Sequence, residues 1–282
     1  MAATELRVPA ADGYSLAATL FEPASASGTV AVLSAGIAIP RGFYGRYATF
    51  LASRGVAVVT YDYRGIGGSR PPRLRRFAAT ATDWGAKDLS GLIDWVAVRF
   101  PRVTAIGHSL GGQLIGLAPS NARLAGVLLI GSQSGYWRHW YFPRNFLFWL
   151  MWRTALPATA AAFRMFPGRA LGLGEDVPEH VMREWSAWCR SPHYNAGPPG
   201  AARRDGFARV TAPILAYSFS DDGYAPRRAV DALLASYPNA GSEHRHVAPP
   251  DLGLPRLGHF GFFREGPTKA LWAETADWLA AA

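Results

Sequence analysis

Apolar positions in this chain change period several times, and the changes divide it into short elements. From 5 to 22, apolar and polar residues alternate on either side of Asp12-Gly13. Alternation predicts two half-buried strands, and Asp-Gly between them predicts the hairpin turn. The stretches 29–34, 56–61, 102–107 and 124–130 are instead short and mostly apolar. Such runs read as strands buried on both faces. A fifth such run follows at 213–219, and a last strand falls within 243–247. Helical spacing fills the intervals: 43–54, closed by Gly55; 84–100, stopped by Pro101; 111–118; 225–237; and 267–281. Strands alternating with helices predict an α/β fold with a mostly parallel sheet and right-handed crossovers.

The alternation breaks once, between 132 and 205. That stretch holds Trp137, Trp140, Trp149, Trp152, Trp185 and Trp188, six of the ten Trp residues. It lies between two strands, so it reads as an insertion over the carboxyl edge of the sheet. The expected division is a core of 1–131 and 206–282 with a helical cap of 132–205. The aromatics of the insertion admit three readings. They form the small core of the cap, since large rings bury area efficiently. They line an apolar pocket, with Trp137, Trp140 and Trp149 as the candidate substrate contacts. Or, with Arg138, Arg144 and Arg153 among them, they face a lipid interface.

Composition narrows the picture. Of 282 residues, 49% are apolar and 17% charged, enough apolar material for a sizeable core and not a disordered composition. The net charge of +9 raises a nucleic-acid role. The Arg residues are scattered, however, and no helix-turn-helix, zinc-finger or RNA-binding motif accompanies them, so no specific nucleic acid is expected. A basic surface that attracts anionic substrates or membrane surfaces fits the charge better, and a solvated surface with no partner fits it best. The apolar run 146–151 is too short to span a bilayer. A single cysteine, Cys189, permits no disulfide within the chain, and residues 1–5 do not resemble a signal peptide; both point to the cytoplasm. The sequence is silent on oligomeric state.

Candidate chemistry centres on Gly107-His108-Ser109-Leu110-Gly111. The motif follows an apolar strand and precedes a helix-compatible segment. A Ser on a tight strand-to-helix turn projects its hydroxyl outward, and a side chain at either flanking Gly would clash with the turned backbone. The following helix aims its first N–H groups at the site, which favours an oxyanion.

These residues resemble the nucleophile elbow of the α/β-hydrolase superfamily. Asp62-Tyr63-Arg64-Gly65-Ile66-Gly67-Gly68-Ser69 is similar to a loop of that family, and its role is expected to be structural, with Arg64 tying neighbouring loops together. The segment 256–264 resembles a poorly characterised bacterial branch of predicted hydrolases near the serine-aminopeptidase-like group. The resemblance covers nearly all of the chain outside 132–205.

A Ser hydroxyl needs a general base, and the base an orienting carboxylate. In the family these follow the nucleophile in the order acid, then His. That order removes His108, His139, His180 and His193 and leaves His244, His246 and His259. The resemblance places the base at His259, within a Gly-rich loop; His244 and His246 read as exposed strand residues. Asp221 and Asp222 both follow the strand 213–219, with Asp251 a more remote candidate. The family's spacing of four residues before a Pro selects Asp222, leaving Asp221 to cap the next helix. Two backbone N–H groups should hold the oxyanion, those of Leu110 and Ile37. Where the family usually has His-Gly, this chain has Ala35-Gly36, which leaves open how that loop is braced.

The resemblance implies a serine hydrolase cleaving a carboxylic ester or thioester with an apolar acyl or alcohol part, without metal or organic cofactor. An amidase or aminopeptidase, an acyltransferase or a perhydrolase would use the same three residues. A non-enzymatic binding protein on this fold would be expected to have lost some of them.

Overall fold

The computed structural model describes every residue except Met1, Ala26, Ser27, Glu265 and Pro267. The expected start of the last helix at Pro267 therefore lies outside the described residues. Strands β1 (Ala2–Pro9) and β2 (Ser15–Glu22) form the antiparallel hairpin, with Pro9 opposite Ser15. Gly13 takes φ +84° in its turn, a conformation that costs glycine little. The buried strands follow as β3 (Thr29–Ser34), β4 (Ala57–Tyr61), β5 (Arg102–His108) and β6 (Leu124–Ile130). A short ribbon, β7 (Met165–Phe166) and β8 (Val177–Pro178), comes next, before β9 (Ile214–Phe219) and β10 (Ser242–Val247).

The main sheet has eight strands in the order β1-β2-β4-β3-β5-β6-β9-β10. It is parallel from β4 to β10, and β2 joins β4 antiparallel. Every residue of β3 and of β9 is buried. Both faces are therefore covered, which is why these strands read as mostly apolar runs. The edge strand β10 is polar (Ser-Glu-His-Arg-His-Val), as suits an edge facing water.

The helices depart from expectation in detail. The 43–54 stretch becomes a 3₁₀ turn, Arg41–Tyr44, and a helix, Gly45–Ser53. The 84–100 helix starts earlier, at Ala81, because Thr80 and Asp83 form a reciprocal capping box, and it contains a π turn at Trp84–Leu89. The helix after Ser109 is only Leu110–Gln113 before a 3₁₀ turn. Gly111, Gly112 and Gly116 are poor helix formers, and close packing rather than helix propensity holds this segment.

Between β6 and β9 lie the helices Arg144–Leu150, Leu156–Phe163, Glu179–Trp188 and Ala202–Ala208. A π turn, Met151–Ala155, joins the first two. The segment also carries the β7–β8 ribbon, whose two-residue strands have no readable period. The segment is tied to the rest of the chain by Thr82 Oγ1 donating to Glu184 (2.6 Å) and by the ion pair of Arg70 with Asp176 (2.8 Å). Among the described residues no helix is long and apolar enough to cross a membrane.

The carboxyl ends of β3, β5, β6, β9 and β10 all lie on one edge of the sheet, where ligands bind in open α/β folds. The loops leaving them carry Ala35-Gly36-Ile37, Ser109, Gly131, Asp221-Asp222 and His259 respectively.

Candidate active site

Ser109 stands at the turn between β5 and the helix Leu110–Gln113, with φ +52° and ψ −120°. A non-glycine residue there is strained by about 1–3 kcal/mol, and such strain collects at functional sites. The surroundings enforce it. A β-carbon at Gly107 would lie 2.2 Å from Gly112 Cα, and one at Gly111 would lie 2.1 Å from the Ser34 carbonyl oxygen. Glycine is needed at both because backbone occupies the space. The Ser109 N–H donates to the Ile130 carbonyl (3.1 Å), stitching the turn to the end of β6.

His259 and Asp222 meet across the same edge. His259 Nδ1 lies 2.7 Å from Asp222 Oδ2, and both side chains are buried. The other carboxylate oxygen, Oδ1, accepts the N–H groups of Tyr224 (2.8 Å) and Ala225 (3.2 Å), which fixes the carboxylate in place. Gly131 makes room for the pair: a β-carbon there would stand 3.3 Å from the His259 ring and 3.4 Å from Asp222 Oδ2. Asp221 points elsewhere. Its carboxylate accepts from the Leu257 N–H (2.8 Å) and the Gly258 N–H (2.9 Å). The expectation that it caps the next helix is corrected: that helix, Arg227–Leu234, begins at Pro226 with no side-chain cap, and Asp221 clamps the loop that carries His259.

The Ala35-Gly36-Ile37 loop is braced by two buried tyrosines. Tyr63 Oη donates to the Ala35 carbonyl (3.1 Å), and the Gly36 N–H donates to Tyr44 Oη (2.9 Å). Gly36 N–H is thereby occupied, and Ile37 lies on the cavity wall described below. Leu110 is the first helical residue after Ser109, where a helix leaves its N–H without an internal acceptor.

Tyr44 continues into a longer chain of hydrogen bonds. Its hydroxyl lies 2.8 Å from His108 Nδ1, and His108 Nε2 lies 3.1 Å from the His259 carbonyl oxygen. A carbonyl only accepts, so Nε2 carries the proton and donates; Nδ1 then accepts from Tyr44. Burial keeps Tyr44 protonated by raising it well above 10. Burial, then the neighbouring His259, hold the His108 imidazole well below its ordinary 6.5, so it stays neutral. His108 thus ties the Gly36 loop, the elbow and the His259 loop together as a positioning residue. The sign of its effect follows. Below pH 6.5 the unfolded chain takes up a proton at this position and the folded chain does not. Stability should therefore fall by up to about 1.4 kcal/mol per pH unit below 6.5 from this group alone. Urea midpoints between pH 5 and 8 should show His108→Gln losing that part of the slope; an unchanged slope would refute the assignment.

Ser109 and His259 line one cavity of about 500 Å³, a volume suited to a small organic substrate. Its walls are mostly apolar: Ile37, Phe43, Trp140, Phe148, Met151, Trp152, Trp185 and Phe260 among them. Gln133 is the main polar side chain besides the site residues. The three candidate pocket Trp residues separate here. Trp140 lines the cavity, its indole N–H anchored on the Gly223 carbonyl (2.9 Å). Trp137 and Trp149 do not; they pack against each other, with ring centres 6.5 Å apart, and Trp149 stacks on Phe146. On the helix, residues 148, 151 and 152 share the stripe facing the cavity, and 149 is rotated off it. Trp152 and Trp185 take the places that spacing alone could not assign.

His244 and His246 are not simply exposed strand residues. Both bond Ser218 Oγ at 2.7 Å, and His244 Nδ1 lies 2.6 Å from Asp231. The connectivity copies a Ser–His–Asp set, yet Ser218 is fully buried within β9, out of reach of a substrate. Arg64 does tie loops together, donating to Asp88 (2.7 Å) and to both oxygens of Asp12 (2.7 and 2.8 Å). Among the described residues no group of three or more His, Cys, Asp or Glu side chains is placed to hold a metal ion.

The chain matches the sequence profile of the alpha/beta hydrolase family over residues 29–274. No curated protein sequence matches it. Solved structures resemble it over nearly their whole length. An esterase from Exiguobacterium antarcticum superposes with TM-score 0.65 at 16% identity, covering 98% of this chain and 99% of that one. An esterase from Pyrococcus furiosus gives 0.61 at 14%, covering 99% and 91%. Proline iminopeptidase from Mycobacterium smegmatis gives 0.57 at 17%, covering 99% and 98%. At these identities the structures speak for the fold, and the profile match over most of the sequence establishes the family: the chain belongs to the alpha/beta hydrolases.

Proposed function

We infer that this protein is a serine hydrolase cleaving a carboxylic ester or thioester with an apolar acyl or alcohol part. The observation that carries the reading is the wall shared by Ser109 and His259 in one apolar cavity, with His259 Nδ1 held 2.7 Å from Asp222. In this reading Ser109 Oγ attacks the carbonyl carbon while His259 Nε2 takes the hydroxyl proton. Asp222 accepts from Nδ1–H, which fixes the ring's orientation and stabilises the imidazolium. The oxyanion is met by the N–H groups of Leu110 and Ile37. The C–O or C–S bond to the leaving group breaks, and that group departs with the proton from His259. Water, deprotonated by His259, then releases the acid from Ser109. Residues 132–205 act as the cap that supplies half the cavity wall and so selects the substrate.

A panel of p-nitrophenyl esters of increasing chain length, set against aminoacyl anilides, tests the reading. Medium-chain esters should be turned over best, because the cavity is apolar. Preference for an aminoacyl anilide would favour the amidase alternative. The acid is tested separately. Asp222→Asn should lower kcat about 10⁴-fold by disturbing the His259 tautomer. Asp221→Asn removes only a loop clamp and should cost about tenfold or less, within the range of one lost hydrogen bond. Equal losses in the two variants would reverse the assignment.

A further inference from the structure

We propose that the outer face of the cap docks on anionic lipid bilayers, so that the cavity mouth opens at the membrane surface. The exposed large apolar side chains are not scattered. Of the eleven in the described chain, eight lie between 141 and 173, including Tyr141 (79% exposed), Phe142 (80%), Phe146, Leu147 (58%) and Leu150. On the helix Arg144–Leu150 and its π turn, Phe146, Leu147 and Leu150 form one stripe, and exposed Arg153 continues it. The opposite stripe, Phe148, Met151 and Trp152, lines the cavity. The helix is apolar on both sides, and among the described residues only one side lines the cavity. A run of large exposed apolar side chains along one helix face marks an interaction surface.

Charge identifies the partner. From 132 to 174 the chain contains Arg138, Arg144, Arg153, Arg164 and Arg169 and no Asp, Glu or Lys. Arg169 pairs with Glu175 just beyond the stretch; Arg138 lies over the Trp137 ring, and Arg228 over Tyr141 at 3.9 Å. Aromatic and aliphatic side chains interleaved with arginines, on a helix lying flat on the surface, match the headgroup region of an anionic bilayer. Leu173 belongs both to this exposed set and to the cavity lining, and Tyr224 and Phe260 line the cavity and are exposed as well, so apolar surface continues from outside into the cavity. An acyl chain leaving the bilayer would thus meet apolar surface on its way to Ser109. The docking surface itself does not depend on what Ser109 does.

The test is flotation of the full chain with phosphatidylcholine vesicles, with and without a substantial fraction of anionic phosphatidylglycerol. Binding should be at least about tenfold stronger to the anionic vesicles and should weaken in about 0.5 M salt. The triple variant F146E/L147E/L150E replaces no residue that lines the cavity; it should lose flotation while hydrolysing a short soluble p-nitrophenyl ester as the wild type does. Absence of flotation, or flotation that the triple variant retains, overturns the proposal. So does a wild-type dimer that the triple variant disperses, because the face would then be occupied by a second copy. If neither protein hydrolyses the ester but the flotation difference persists, the surface stands and the hydrolase reading fails.

Discussion

Replacing Ser109 with Ala is expected to lower ester hydrolysis by about 10⁵- to 10⁶-fold, the loss typical of removing the nucleophile from a Ser–His–Asp set. The residue that remains should come from the oxyanion donors and binding alone. Stability should hardly change, with the thermal midpoint within about 2 °C of the wild type, because Ala bears the same strain at φ +52° that Ser does. Ser109→Gly separates the two effects. It should be equally inactive, yet it relieves the strained backbone and should be more stable than Ser109→Ala by about 1 kcal/mol. Steady-state kinetics with a p-nitrophenyl ester and a urea titration check both halves. Retained turnover in Ser109→Ala would remove the nucleophile from the account. A Gly variant no more stable than the Ala variant would remove the strain.

The second large effect is on folding. Gly111→Ala adds a single methyl group, but its β-carbon would stand 2.1 Å from the Ser34 carbonyl oxygen and 2.7 Å from that of Ala35. Both atoms are backbone at the end of β3, and they lead directly into the loop that carries Ile37. No side-chain rotation relieves the clash, so the elbow or the strand must shift. The expected cost exceeds about 4 kcal/mol, at the extreme end of single substitutions, or the variant fails to accumulate as folded protein. Gly241→Ala is the control, since nothing lies within 4 Å of its β-carbon position. It should stay within about 0.5 kcal/mol of the wild type. Denaturation midpoints that are equal for the two variants would contradict the geometry described for the elbow.

The two predictions mark how far sequence pattern reaches. The elbow was legible because its requirements are local: glycines at 107 and 111 around Ser109, after an apolar strand. The strands were legible for the same reason, since burial on both faces leaves mostly apolar runs in β3 and β9. Asp222 and Asp221 differ by one position, and only the folded chain shows that one carboxylate meets His259 and the other holds the Leu257-Gly258 turn. The brace for the Gly36 loop was not legible at all. Tyr44 and His108 are 64 residues apart, and no spacing rule joins them. The cavity Trp residues were half legible. Abundance pointed to 132–205, while helix phase, with 148, 151 and 152 on one stripe, decided that Trp152 faces inward and Trp149 does not.

The hydrogen-bond chain from Gly36 through Tyr44 and His108 to the His259 backbone has a consequence for catalysis. It holds the proposed oxyanion loop and the proposed base against the strand that ends in Ser109. Reaction geometry set by several loops then depends on one buried, neutral imidazole rather than on loop rigidity alone.

The central claim is that Ser109, activated by His259, is a nucleophile. Intact-mass analysis after exposure to a fluorophosphonate tests it most directly. The account predicts one phosphonyl adduct per chain, mapped to Ser109 by peptide sequencing and lost in both Ser109→Ala and His259→Ala. A chain that stays unlabelled, or an adduct that maps elsewhere or persists in the Ser109→Ala variant, would contradict it.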